Sequence, residues 1–124
     1  MIKMLIVDDE RDVEVLFSQR FRKEIRNGEV ELNFAFNGDE ALEYIHSLDP
    51  FDLVVVLSDI NMPGMTGLEL LKIIKTEYQA LRVMMVTAYG DEKNYKNAIT
   101  IGADEFMTKP VDFTLLKEKL SKIK

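Results

Sequence analysis

Apolar residues in this chain fall into short continuous runs separated by segments of helical spacing. Lys3 to Val7 is a run rich enough in branched residues to predict a buried strand, and it halts at Asp8-Asp9-Glu10. Val13, Leu16, Phe17, Phe21 and Ile25 then recur at helical spacing, and Asn27-Gly28 supplies the stop. Val30, Leu32, Phe34 and Phe36 alternate with Glu31, Asn33 and Ala35, which predicts a strand with one wetter face, ended by Asn37-Gly38. Asp39 is placed to cap a helix carrying Ala41, Leu42, Ile45 and Leu48, and Asp49-Pro50 ends that helix.

Leu53 to Leu57 shows no polar alternation, as expected of a central strand covered on both faces. Beyond Pro63-Gly64, the spacing of Leu68, Leu70, Leu71, Ile73 and Ile74 predicts a helix. Val83 to Val86 is a second continuous strand, ending at Thr87. Residues Asp91 to Ile101 form a weaker, polar helical pattern stopped by Gly102. Glu105-Phe106-Met107 is a short strand running into Thr108-Lys109-Pro110, and Phe113, Leu115, Leu116, Leu120 and Ile123 mark a last helix.

The pattern is five strands alternating with five helices, so the fold class is α/β: a doubly wound five-stranded parallel sheet with right-handed crossovers. The 124 residues, without repeat or linker, suit one domain over 1–124. In such sheets ligands bind outside the carboxyl ends of the strands. Those ends carry Asp8-Asp9-Glu10, Asn37-Gly38, Asp59-Ile60-Asn61, Thr87-Ala88 and Thr108-Lys109-Pro110.

Composition narrows the function. Twenty-two acids against 16 bases give a net charge of −6, which argues against nucleic acid as a direct partner. Lys117, Lys119, Lys122 and Lys124 read as a solvated helix face. Cysteine is absent, so disulfides, thiolate metal sites and cysteine nucleophiles are excluded. The apolar start is too short for a signal peptide, and no run approaches the ~20 apolar residues of a membrane span. A soluble cytoplasmic domain is expected, with no membrane insertion.

Asp8, Asp9 and Asp59 end strands that this fold sets side by side. Acids after strands are commonly caps, yet two carboxylates ~5 Å apart repel by about 3 kcal/mol at an effective dielectric of ~20. Three such acids call for a cation, and hard oxygen ligands on one rim suit magnesium. Thr87 offers a hydroxyl and Lys109 an ammonium toward a phosphoryl group. A central carboxylate can then serve as nucleophile, with its oxygen exposed to a donor.

The stretches Leu5 to Glu10, Ser58 to Gly67, Val86-Thr87-Ala88 and Gly102 to Pro110 together closely resemble the response-regulator receiver domain of two-component signalling, over the whole chain and in the family's order. The resemblance implies a flavodoxin-like (βα)5 fold with strand order 2-1-3-4-5. It implies that Asp59 accepts a phosphoryl group from a phosphohistidine of a histidine kinase or histidine phosphotransfer protein. Asp8, Asp9, Asp59 and the backbone carbonyl of Asn61 would hold Mg2+, for which Mn2+ can substitute. Thr87 and Lys109 would contact the phosphoryl oxygens. Phe106 takes the aromatic switch position beside Thr87, and Lys109-Pro110 is expected to be cis. The signal would leave through the fourth helix, fifth strand and fifth helix toward an unknown output protein or domain. Such a domain is a switch rather than an enzyme, although it catalyses its own phosphorylation and slow autodephosphorylation. Tyr89, two residues after Thr87, is positioned to overhang the phosphoryl group and lengthen its lifetime.

Two departures stand out. Phe51-Asp52 to Asp59 is two residues longer than the family's usual approach; an even insertion preserves the alternation of faces and is expected to lengthen the strand or its preceding loop. Thr66 replaces the family's usual aspartate, a change expected to stay local to the helix start. His46 reads as a surface residue, and the seven methionines as mostly core, with Met62 and Met65 in the site loop. A haloacid-dehalogenase-type phosphatase would want an acid at position 61, where asparagine stands. A flavin module would want a Ser/Thr/Gly-rich loop where Asp8-Asp9-Glu10 stands. A pseudo-receiver would lack some of these chemical groups. Nothing after the last helix suffices for a DNA-binding output domain, so a stand-alone or excised receiver is expected.

Overall fold

A computed structural model describes residues 1–49, 52, 54–88 and 91–123. Its strands are β1 (Ile2–Val7), β2 (Val30–Ala35), β3 (Val54–Asp59), β4 (Arg82–Thr87) and β5 (Glu105–Thr108). Its helices are α1 (Asp12–Arg20), α2 (Arg22–Arg26), α3 (Gly38–His46), α4 (Gly67–Glu77), α5 (Glu92–Ile101) and α6 (Phe113–Ser121). All strand pairs are parallel, in the order β2-β1-β3-β4-β5. Alternate residues of each inner strand feed opposite cores. Leu5, Val7, Val56 and Met85 pack under α3, α4 and α5, whereas Met4, Ile6, Leu57 and Met84 pack with Phe17, Phe21 and Leu116 of the other layer.

The helix predicted from Val13 to Ile25 is two segments that meet at Phe21, where the backbone leaves helical values (φ −102, ψ 13). The ladder survives the break, since Phe21 N–H donates to Phe17 O and Ile25 N–H to Phe21 O, both at 2.9 Å. Phe21 is fully buried against the rings of Phe17 and Phe113, and that packing outweighs local regularity. The fourth and fifth helices of the sequence pattern are therefore α5 and α6.

Asn37, not Asp39, caps α3. Its extended backbone lets Oδ1 accept from Glu40 N–H at 2.8 Å, while Glu40 Oε1 accepts from Phe36 N–H at 2.8 Å. Asp39 lies inside the first turn, where its charge meets the positive end of the helix dipole. Thr66 caps α4 through a reciprocal box: its hydroxyl accepts from Glu69 N–H at 3.2 Å, and Glu69 Oε1 accepts from Thr66 N–H at 3.1 Å. The unusual threonine thus does a cap's work locally. Thr66→Ala is expected to lower stability by about 1 kcal/mol, read as a reduced urea midpoint at unchanged slope.

The terminal lysines are less solvated than expected. Lys117 pairs with Glu24 at 3.1 Å and Lys119 with Glu105 at 2.9 Å, tying α6 to α2 and β5. Lys122 stands 3.8 Å from Glu118 in the same helix, and Lys124 lies outside the described residues. His46 is exposed, as expected. Among the described residues β3 has six, like β1 and β4. Pro50, Phe51 and Leu53 lie outside the described residues.

Candidate functional site

Register builds the site. Val7 of β1 pairs with Ser58 of β3, so the next residues, Asp8 and Asp59, leave adjacent strands at one level. Asp59 in turn pairs with Val86, one residue before Thr87. Thr87 pairs with Thr108, one residue before Lys109. Parallel strands in this register thus deliver four polar side chains to one edge of the sheet.

Asp8, Asp9 and Asp59 each contribute a carboxylate oxygen to a group whose members lie within 4.8 Å of one another. Asp9 is exposed, but Asp8 and Asp59 are only 7% and 6% exposed. Asp59 is thus less exposed than its position at a strand end predicts, although it lines the cavity beside the acids. Lys109 Nζ donates to Asp59 Oδ2 at 2.9 Å and lies 3.7 Å from Asp8 Oδ2. Glu10 N–H donates to Asp8 Oδ1 at 2.9 Å, and Asn61 N–H to Asp59 Oδ1 at 3.4 Å.

One ammonium among three acids leaves surplus negative charge. Burial pushes the Asp8 carboxyl above its ordinary range, against the opposing pull of the Glu10 amide and the Lys109 charge. Burial would lower Lys109, but its hydrogen bond to Asp59 and the charges of Asp59, Asp8 and Glu10 hold it above its ordinary value. Thr87 Oγ1 is fully buried with no hydrogen-bond partner among the described residues. A buried hydroxyl without a partner costs about 1–3 kcal/mol, so an arriving acceptor oxygen would relieve it. Hard carboxylate oxygens beside exposed Asn61 fit a magnesium ion, which takes one or two carboxylates and retains waters.

The Lys109-Pro110 bond is cis, as the resemblance implied. Phe106 is half-buried, its ring edge-on to Tyr95 of α5 with centroids 4.6 Å apart. Tyr95 and Ile99 are among the exposed large hydrophobics, one helical turn apart, a spacing that marks this face in the sequence. Met62 is buried, and Met65 packs half-buried against the same core. Tyr89 lies outside the described residues. A cavity of about 500 Å³ adjoins the acids, walled by Val13, Leu16, Phe17, Pro110 and Val111. No helix among the described residues is long and apolar enough to cross a membrane.

Fold and site together define a doubly wound α/β domain whose carboxyl edge gathers three acids, a lysine and a buried hydroxyl. Residues 4–121 match the family model of the response regulator receiver domain, and the chain belongs to that family. It is 39% identical over 118 residues to the response regulator protein PilR of Pseudomonas aeruginosa, covering 94% of this chain but only 24% of PilR. The chain therefore spans about a quarter of that relative's length. It is 32% identical to a chemotaxis protein CheY homolog of Campylobacter jejuni, covering 98% of this chain and 92% of that protein. Among solved structures, TrrA of Thermotoga maritima in complex with Mg2+-BeF superposes with a TM-score of 0.79 at 31% identity, covering 100% of both chains.

Proposed function

We propose that this receiver domain takes a phosphoryl group onto Asp59 from a phosphohistidine of a histidine kinase or phosphotransfer protein. One observation carries the reading: Asp59, nearly buried, is held 2.9 Å from the Lys109 ammonium within a cluster of three acids. A carboxylate oxygen of Asp59 attacks phosphorus, an O–P bond forms as the P–N bond breaks, and the electron pair leaves with the imidazole. Asp8, Asp9, Asp59 and the Asn61 carbonyl would hold Mg2+, with Mn2+ as a substitute. When bound, the ion offsets negative charge gathering between the acids and the incoming phosphoryl oxygens.

Lys109 already touches the acceptor, and its ammonium pairs with a phosphoryl oxygen once the carboxylate is esterified. The Thr87 hydroxyl, which has no partner among the described residues, supplies the other contact and gains one. Phe106, on the strand that leads into Lys109, then transmits the change through its Tyr95 contact to the face of α5, β5 and α6, which meets an output protein or domain. The domain turns over no external substrate, although it promotes its own phosphorylation and slow dephosphorylation. Tyr89 is assigned to phosphate lifetime, so Tyr89→Ala is expected to speed decay.

The test is incubation with a small phosphodonor and magnesium, read as one added phosphoryl group by intact mass. A phosphatase of the haloacid-dehalogenase type is the outcome if small phosphate esters are hydrolysed at steady state. Absence of labelling with both a small donor and a panel of phosphorylated kinases would reject the reading.

A further inference from the structure

We propose that Gly67 is a positioning residue for phosphoryl transfer: lacking a Cβ, it lets the first turn of α4 press on the backbone of Asp59 and thereby sets where the acceptor carboxylate stands. The inference rests on the assignment of Asp59 as acceptor.

Gly67 opens α4 directly after its cap, and its N–H donates to Ile60 O at 2.8 Å. Ile60 N–H in turn donates to Val86 O at 3.0 Å, so helix start, strand end and neighbouring strand form one tied unit. Backbone conformation does not explain the glycine, because positive φ occurs only at Gly28, Gly64 and Gly102 among the described residues. Close approach does. A Cβ on Gly67 would collide with the Asp59 carbonyl oxygen and stand 2.7 Å from Ile60 Cα and 2.8 Å from the Asp59 carbonyl carbon. These are backbone atoms, so no rotamer change relieves the clash. At Gly38, by contrast, the atoms nearest to a Cβ belong to the Met65 side chain, which can move.

Relief must come from one of two sides. α4 is anchored by fully buried Leu70, Leu71 and Ile74 and by its capping box, so its retreat would disturb a close-packed core. The other side is the end of β3, whose last residues are Asp59 and the Ile60 that follows it. Displacement there is carried straight to the carboxylate that must meet Lys109, Asp8 and Asp9. A misplacement of about 1 Å costs on the order of 10²-fold in the rate of a positioned reaction. Magnesium is equally demanding, since it requires near-ideal geometry.

The experiment compares wild type, Gly67→Ala and Gly28→Ala. Gly28 has φ +72 and open space around it, so an alanine there strains the backbone in the turn between α2 and β2, away from the site. Folding is followed by far-UV circular dichroism, labelling by a small phosphodonor, and magnesium affinity by the shift of the urea midpoint with ion concentration. Gly67→Ala is expected to fold, to label roughly 10–100-fold more slowly and to bind magnesium about tenfold more weakly. Gly28→Ala is expected to lose stability while labelling and binding as wild type does. Wild-type labelling and magnesium affinity in Gly67→Ala would overturn the proposal. So would an unfolded Gly67→Ala, which would place the strain in the core, or an equal loss of function in Gly28→Ala, which would make instability the cause. If wild type itself is never labelled, that failure belongs to the phosphoacceptor reading, and the magnesium comparison still decides the role of Gly67.

Discussion

Asp59→Asn is expected to reduce phosphoryl labelling to background while leaving the fold intact. The amide has nearly the shape of the carboxylate but lacks its charge and nucleophilic oxygen. Asn61 N–H and Lys109 Nζ reach different oxygens of Asp59, so the single carbonyl oxygen of asparagine can keep one of these contacts while its NH2, which only donates, gives up the other. Asp8 and Asp9 remain nearby as carboxylates, so the experiment asks whether proximity to the acid cluster is sufficient. It is not expected to be. Asp8 lies 3.7 Å from Lys109 and has one oxygen engaged by the Glu10 amide, and Asp9 stands exposed at the rim. Intact mass and peptide mapping after incubation with a phosphodonor and magnesium give the result, and undiminished labelling of the variant would remove Asp59 from its assigned role.

Asp8→Asn is expected to make the metal-free protein more stable than wild type, by about 1 kcal/mol at neutral pH. Most substitutions destabilise, so a gain at a site residue is a specific signature of crowded charge. Asp8 is the acid that bears this load: burial raises its pKa, and Lys109 sits closer to Asp59 than to Asp8. Asparagine retains an oxygen for the Glu10 N–H while removing the charge. The sign with pH follows. A carboxyl raised in the fold binds its proton more tightly there than in the unfolded chain. Its destabilising effect is therefore full above the raised value and disappears as pH falls toward 3.8. The advantage of Asp8→Asn over wild type should shrink over that interval. Lys109 behaves oppositely at the alkaline end: its stabilising effect is full below 10.5 and is lost as pH rises through its raised value. Magnesium is expected to stabilise wild type by about 2.7 kcal/mol at a hundred times its dissociation constant, and to stabilise Asp8→Asn less. Urea unfolding in chelator and in magnesium, at matched ionic strength, measures both effects. A variant less stable than wild type in chelator would contradict the crowding.

The sequence by itself made the alternation of strands and helices legible, because short continuous apolar runs rich in branched residues, such as Val83 to Val86, are expected of strands covered on both faces. It also placed Asp8, Asp9, Asp59, Thr87 and Lys109 at strand ends, where the alternation of faces and the strand breakers decide position locally. Tertiary structure decided what depends on contacts between distant segments. Packing of Phe21 against Phe113, more than ninety positions away, broke the first helix, which periodicity alone predicted as continuous. Lys117 and Lys119 met acids on α2 and β5, a pairing that no local pattern encodes. The burial of Asp59 depends on the layers stacked around β3, and whether the Thr87 hydroxyl meets a partner depends on segments distant in the chain, none of which supplies one among the described residues. Gly67 is the plainest case: the sequence pattern assigns it no role, and only the approach of α4 to the Asp59 backbone shows why a single methyl group does not fit. Local chemistry is carried by neighbours along the chain, but the space left for a side chain is set by whatever the fold brings against it.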